Sequence, residues 1–201
     1  KSKNNLRVTI WGFEEVKREN FISPHLKEYA YEDKPLPILR GKTISQPTTV
    51  MIMTHTLQFK PGDKVFEVGT GSGYQTTIIS KLIGKTGKII TTEVIPELFN
   101  LAKLNFEKEK ISNFEIYEED GSRGMPNKAP FDKIIITAAC NDFPEELLQQ
   151  LKIGGIIVGP IGNRQEQNML KGIKQKDNSL EIQSLGSFLF SPLYGVYGFE
   201  V

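Results

Sequence analysis

From Lys64 onward the apolar residues fall into short β-branched runs that alternate with stretches of helical period. That alternation is the signature of βαβ units around a mostly parallel sheet. Residues 64–68, 88–92, 115–117, 131–137 and 155–159 predict strands. Between the first two, residues 74–83 place Ile78, Ile79, Leu82 and Ile83 on one stripe and predict a helix. Pro96 opens a second helix through about residue 110, because proline in a first turn forfeits no hydrogen bond. Residues 143–151, with Pro144 near the start, predict a third. Beyond Gly159 the pattern changes: residues 167–176 and 180–190 flank Asp177-Asn178 and predict an antiparallel hairpin.

Ahead of the sheet the chain reads differently. Residues 6–20 are amphipathic, 31–39 are proline-rich and extended, and 48–57 set Val50, Met53, Thr54 and Leu57 on one helical face. Pro47 is placed to start that helix, which makes Gln46 its cap and leaves Ser45 one residue outside. The expectation is one α/β domain: an N-terminal helical and extended cap with a substrate segment (1–59), a βα core (60–161) and a C-terminal hairpin (162–201). No internal repeat or low-complexity tract interrupts it.

Composition narrows the class. At 201 residues, 38% hydrophobic and 24% charged, the chain can bury a sizeable core. Lys+Arg 25 against Asp+Glu 24 gives a net charge of +1, with no global pull toward nucleic acid or an anionic membrane. Cys140 is the single cysteine, so neither a disulfide framework nor a thiol metal site is expected, and a reducing, cytoplasmic setting is. It reads as a buried small residue rather than a nucleophile. The apolar run 153–161 is broken by Gly154, Gly155, Gly159 and Pro160 and falls far short of the roughly 20 residues a membrane helix needs. The basic start at 1–5 lacks the long apolar region of a leader. His25 and His55 have no spacing that suggests a triad or metal ligands.

The candidate chemistry begins at Glu67-Val68-Gly69-Thr70-Gly71-Ser72-Gly73, directly after a strand and before a helix. Glycines there let the backbone take positive φ and approach a ligand, and the helix start offers N–H groups. A tight strand-to-helix turn would use the same glycines, so the spacing matters more than their presence. Dinucleotide sites use GxGxxG; here the loop reads GxGxG after an acid, the pattern of Rossmann-like class I methyltransferases. Glu93, followed by Val94, ends the next strand and can accept from ribose hydroxyls, unless it is a solvated strand end. Glu119-Asp120-Gly121 follows the third strand, where a carboxylate can accept from an adenine amino group and Gly121 leaves room for the ring; a plain turn is the alternative. Three carboxyl-end features on successive strands converge on one crevice.

The stretch Tyr31-Glu-Asp-Lys-Pro-Leu-Pro-Ile38, the run Thr43-Ile44-Ser45-Gln46-Pro47, the glycine loop, Ala138 to Pro144, Gln150 to Gly155 and Phe190-Ser191-Pro192-Leu193 stand in one order. In that order the chain resembles the protein-L-isoaspartate O-methyltransferases from Phe21 to its end. The resemblance implies S-adenosyl-L-methionine as cofactor, S-adenosyl-L-homocysteine as product, and isoaspartyl proteins and peptides as substrates of a monomer with no nucleic-acid or membrane partner. It implies that Ser45 is the active-site hydroxyl on the substrate carboxylate, and that Thr43, Ile44 and Gln46 border cofactor and substrate. Ser191, Pro192 and Leu193 would line the substrate cleft through main-chain groups, with Ser191 where the family usually has valine. Glu119 stands where it usually has glycine.

A carboxylate nucleophile is ionised at neutral pH, so the missing histidine base is expected. Two other readings are open on sequence: a relative that methylates a different carboxylate, and a cofactor-binding module without turnover.

Overall fold

The computed structural model describes residues 2–199; Lys1, Glu200 and Val201, at the outer edges of the expected cap and hairpin, lie outside the described residues. Along the chain come α1 (Ser2–Glu14), β1 (Leu36–Pro37), β2 (Thr43–Ile44), α2 (Pro47–Leu57), β3 (Lys64–Val68), α3 (Tyr74–Ile83) and β4 (Lys88–Thr92). There follow α4 (Pro96–Glu109), β5 (Phe114–Tyr117), β6 (Phe131–Ile136), α5 (Glu145–Gln150), β7 (Leu151–Gly162), β8 (Gln167–Lys174) and β9 (Leu180–Phe188).

Seven strands form one sheet in the order β5-β4-β3-β6-β7-β8-β9. The first five pair in parallel, while β8 runs antiparallel to both its neighbours. The expected mostly parallel α/β sheet with a C-terminal antiparallel hairpin is therefore present. Because β3 lies between β4 and β6, Val68 pairs with both Thr92 and Ile136. The chain leaves β3 toward β4 on one side and reaches β6 on the other, which makes this a topological switch point, and the residues after these strands open on one crevice.

Helices cover both faces, so the central strands are buried on both sides, mostly by apolar residues but with Glu67, Thr91 and Thr92 enclosed near their carboxyl ends. Val65, Ile89, Ile135 and Val158 face the side built from α1, α2 and α3. Phe66, Val68, Ile90, Ile134, Ile136 and Ile157 face the other, against Phe143 and Leu147.

Two boundaries depart from the pattern read in the sequence. The helix expected over 143–151 is only Glu145–Gln150, and β7 begins at the next residue and runs through Gly154 and Gly155. Gln150 ends the helix by turning its amide back onto Met125 N (2.7 Å) and Arg123 O (3.1 Å). The amphipathic stretch 6–20 also divides: α1 stops at Glu14, and Arg18–Phe21 forms a separate 3₁₀ turn. Helix α1 packs through small residues. Thr9 is buried, and a Cβ on Gly12 would sit 2.7 Å from Leu82 Cδ2, while Leu6, Val8, Ile10 and Trp11 are exposed. Close approach of backbone at Gly12 and the edge of the Phe13 ring against Tyr74 set that face.

Candidate functional site

The loop after β3 is held from three directions. Gly69 N and Thr70 N both donate to Thr92 O at the end of β4, at 3.0 and 3.1 Å. Asn105 on α4 donates from Nδ2 to Ser72 O at 2.9 Å. Just past β6, Thr137 Oγ1 shares its one proton between Val68 O (2.9 Å) and Gly69 O (2.6 Å). Gly69, at φ +92°, is required twice over: a side chain would strain the backbone, and its Cβ would lie 2.5 Å from Thr137 Oγ1.

Glu93, one residue beyond β4, is buried beneath this loop. Its Oε2 accepts from Gly71 N at 2.9 Å, and its Oε1 accepts from Val94 N and Ile95 N, each at 3.0 Å. A carboxylate offers about four lone-pair directions. Three are occupied by backbone donors, which leaves about one for a ligand hydroxyl where the sequence reading had allowed for two.

Glu67 points the other way. It is fully buried, and its Oε2 accepts from Thr76 Oγ1 (2.5 Å) and Thr91 Oγ1 (2.7 Å), while Thr91 also shares a 2.7 Å hydrogen bond with Thr70. Burial pushes its carboxyl up to about 7, the two hydroxyl donors oppose that, and the nearby charge of Glu93 adds to it. Its other oxygen has no partner among the described residues. It braces β3, β4 and α3 behind the loop instead of facing the cavity.

On the far side, β1 and β2 form a two-residue antiparallel ladder, Leu36 to Ile44 and Pro37 to Thr43. The chain then enters α2 with Gln46 as cap and Pro47 in the first turn, as the sequence indicated. Asp33 Oδ1 accepts from Thr48 N at 2.9 Å and so supplies the cap that Gln46 does not. Ser45 sits between this capped helix and the ladder.

The C-terminal segment closes the site. Ala139 N donates to Ser191 O (2.8 Å), Leu193 N to Ala139 O (2.7 Å), and Phe190 N to Gln167 Oε1 (2.8 Å). These bonds hold Ser191–Pro192–Leu193 beside the end of β6. They also consume most of its main-chain groups and leave the Ser191 N–H without an acceptor among the described residues.

One cavity of about 810 Å³ joins these parts. It is lined by Thr43, Ile44, Ser45 and Gln46, by Gly69, Thr70 and Gly71, by Glu93, Val94, Glu119 and Gly121, and by Ser191, Pro192 and Leu193. Three residues singled out in the sequence stand outside the lining. Glu67 braces the interior, Gly73 packs against the Phe106 ring, and Asp120 accepts from Ser122 N (2.9 Å) and from Val196 N (2.8 Å), under the C-terminal segment. Thr137, Gln75, Ile38 and Tyr74 line the cavity without having been foreseen. Thr137 has a signal as the residue closing the fourth β run, and Ile38 as the end of the Tyr31–Ile38 motif; Gln75 and Tyr74 arrive by tertiary packing. His25 and His55 are absent from the lining, and no cluster of metal-ligating side chains occurs among the described residues.

A glycine loop and a buried acid at the ends of adjacent parallel strands, opening on a crevice at the switch point, define the class I methyltransferase architecture. Within that class the chain belongs to the protein-L-isoaspartate(D-aspartate) O-methyltransferase family, whose sequence model matches residues 6–197. It is 43% identical over 186 residues to the protein-L-isoaspartate O-methyltransferase of Methanopyrus kandleri, covering 92% of this chain and 82% of that one. A solved protein-L-isoaspartate O-methyltransferase superposes with a TM-score of 0.86 at 26% identity, covering 98% of this chain and 67% of the other. A Plasmodium falciparum structure named for the same activity, in complex with S-adenosyl-L-homocysteine, gives 0.79 at 25% identity, covering 93% and 90%.

Proposed function

We infer that this chain transfers the methyl group of S-adenosyl-L-methionine to the free carboxylate of L-isoaspartyl residues in damaged proteins and peptides, leaving S-adenosyl-L-homocysteine. In a chain of this family, the observation that carries the reading is the single cavity with two ends: Gly69, Gly71 and Glu93 at one, Ser45 and Ser191 to Leu193 at the other.

The cofactor end fits its ligand on structural grounds. Gly69 and Gly71 carry positive φ and no side chain, so backbone lines the floor. Glu93 holds an acceptor direction toward the rim, and about 810 Å³ lies within the range of small-molecule pockets. Thr43, Ile44 and Gln46 border the same space, and Val94, Glu119 and Gly121 flank the adenine end in this reading. Asp120 has acceptor directions to spare but stands outside the lining beneath Gly195 and Val196, so in this reading it reaches an adenine amino group only by moving out from under that segment. When bound, the cofactor supplies an electrophilic methyl group on a sulfonium.

Ser45 Oγ donates to the substrate carboxylate and fixes which oxygen faces the cofactor end, with the Ser191 N–H as a second donor. The substrate group ionises near pH 4, so the site has no need of a base, and its lining holds no histidine. The chain's contribution is placement and exclusion of water by Tyr74, Ile38 and the C-terminal segment. The methyl ester then makes the isoaspartyl carbonyl a better electrophile, and the following backbone nitrogen closes a succinimide that reopens in part to normal aspartate. The near-neutral charge and lone buried cysteine suit a cytoplasmic monomer that acts on proteins and peptides rather than on nucleic acid or membranes.

Labelled methyl transfer to an isoaspartyl peptide, with its aspartyl isomer as control, tests the proposal. Label should enter the isoaspartyl peptide alone; equal labelling of both would overturn the substrate assignment.

A further inference from the structure

Arg18 is the largest fully buried side chain among the described residues, at 0% exposure, and it lies one layer behind Ser45. Burying a guanidinium costs several kcal/mol unless it is paired. No ion pair involves Arg18 among the described residues; the acid within its field is Asp33, an exposed carboxylate that caps Thr48 N. Three of its five donors go instead to backbone carbonyls, while Nε has no partner among the described residues. Nη1 donates to Ala30 O in a short hydrogen bond, and Nη2 donates to Lys34 O (3.2 Å) and Ser45 O (3.0 Å).

Two of those carbonyls lie near the start and one at the end of a single segment, residues 30–45, which carries the substrate side of the cavity. The segment has little order of its own. Its only ladder is the two-residue pairing of β1 with β2, too short to be stable alone. The turn between the two strands closes on itself, with Lys42 N donating to Leu39 O (3.1 Å) and Ile38 N to Lys42 O (2.8 Å), but it holds Arg40 at φ +58°, which costs a non-glycine residue about 1 kcal/mol. A planar fork with fixed donor directions can hold three carbonyls at set angles; the single ammonium of lysine cannot reproduce that geometry.

We propose that Arg18 is a positioning residue for methyl transfer: by gripping the Ser45 carbonyl together with those of Ala30 and Lys34, it fixes the backbone from which the Ser45 hydroxyl meets the substrate carboxylate. This rests on the isoaspartyl reading above. Arg18 touches neither substrate nor cofactor and acts through Ser45.

The test is a double-mutant cycle with Arg18→Lys, Ser45→Ala and the pair, on an isoaspartyl peptide at saturating S-adenosyl-L-methionine. Turnover is expressed per cofactor-binding site, so that a partly unfolded variant still answers, and Arg18→Met runs beside Arg18→Lys. Both Arg18 variants should lose about tenfold or more in kcat/KM for the peptide, since small misplacements cost that much, while cofactor Kd stays within about threefold. Ser45→Ala should cost much less in the Arg18→Lys background than alone, because the hydroxyl is then already misplaced. Purely structural support would make the two losses multiply, and that result would overturn the proposal, as would Arg18→Lys turnover within about twofold of the parent. If the parent itself fails to methylate the isoaspartyl peptide, the functional reading falls first and separately.

Discussion

Glu93 Oε2 lies 2.9 Å from Gly71 N, so the acid at the end of β4 and the glycine loop after β3 form one unit before any ligand arrives. The same carboxylate that would meet a ribose hydroxyl also sets the shape of the loop. Glu93→Ala removes both at once. Cofactor affinity should fall about 30- to 100-fold, in the range of losing a charge-assisted hydrogen bond together with loop order. Glu93→Gln, which retains one carbonyl acceptor, should fall between. Titration calorimetry with S-adenosyl-L-homocysteine reads both, and an unchanged Kd for Glu93→Ala would remove the residue from the site.

Gly69 and Thr137 make a second such pair. Gly69→Ala imposes a Cβ at φ +92° and 2.5 Å from Thr137 Oγ1, which should cost about 2 kcal/mol or more of stability. Thr137→Ala relieves the clash but not the backbone strain, and it forfeits the hydroxyl hydrogen bond shared between Val68 O and Gly69 O. The double variant should therefore regain part of the stability lost in Gly69→Ala, never all of it. Urea unfolding of the four proteins decides this, and full recovery would show that φ at Gly69 carries no strain.

The sheet was legible because its period is strong: β3, α3 and β4 have the bounds that the apolar runs predict. The cap of α2 was legible for a local reason as well, since Pro47 fixes the first turn wherever the rest of the chain goes. What the sequence hid depends on direction and partners. Glu67 reads as part of the glycine motif, yet strand parity turns its carboxylate toward Thr76 and away from the cavity. Asp120 reads as an adenine acceptor, yet residues 76 positions later take one of its oxygens. Exposed Ile10 and Trp11 on α1 show the converse, because an amphipathic pattern cannot reveal that Gly12 is where another helix approaches.

Ser45→Ala should separate binding from turnover. Ser45 lines the cavity, but its carbonyl is held by Arg18 and its neighbours by the capped helix, so deleting the hydroxyl leaves the backbone in place. Peptide kcat/KM should drop about tenfold to a hundredfold, the worth of one oriented hydrogen bond in a water-poor site. Cofactor Kd should move less than about twofold. Steady-state kinetics beside a cofactor titration would show it, and a parent-like rate would leave the substrate carboxylate to the Ser191 N–H alone.

Glu67 yields a prediction in pH. Its folded carboxyl is pushed up to about 7 from an ordinary value of 4.5, chiefly by burial, with the Thr76 and Thr91 hydroxyls pulling the other way. A raised value means that the folded state holds the proton more tightly than the unfolded chain does. The resulting stabilisation is complete below about pH 4.5, where both states are protonated. It declines as pH rises through the window up to about 7, and above that the buried charge is a constant burden. Glu67→Gln cannot ionise, keeps a carbonyl acceptor for the two threonines, and fills the same volume. The stability of the parent relative to Glu67→Gln should therefore fall by about 1–3 kcal/mol between pH 4.5 and 7.5 and be level on either side. Subtracting the two proteins cancels every other titrating group that the substitution does not disturb. Chemical unfolding at four or five pH values measures the difference, and a flat difference across the window would mean that Glu67 is already ionised in the folded protein at pH 5, held by hydroxyl donors that outweigh its burial.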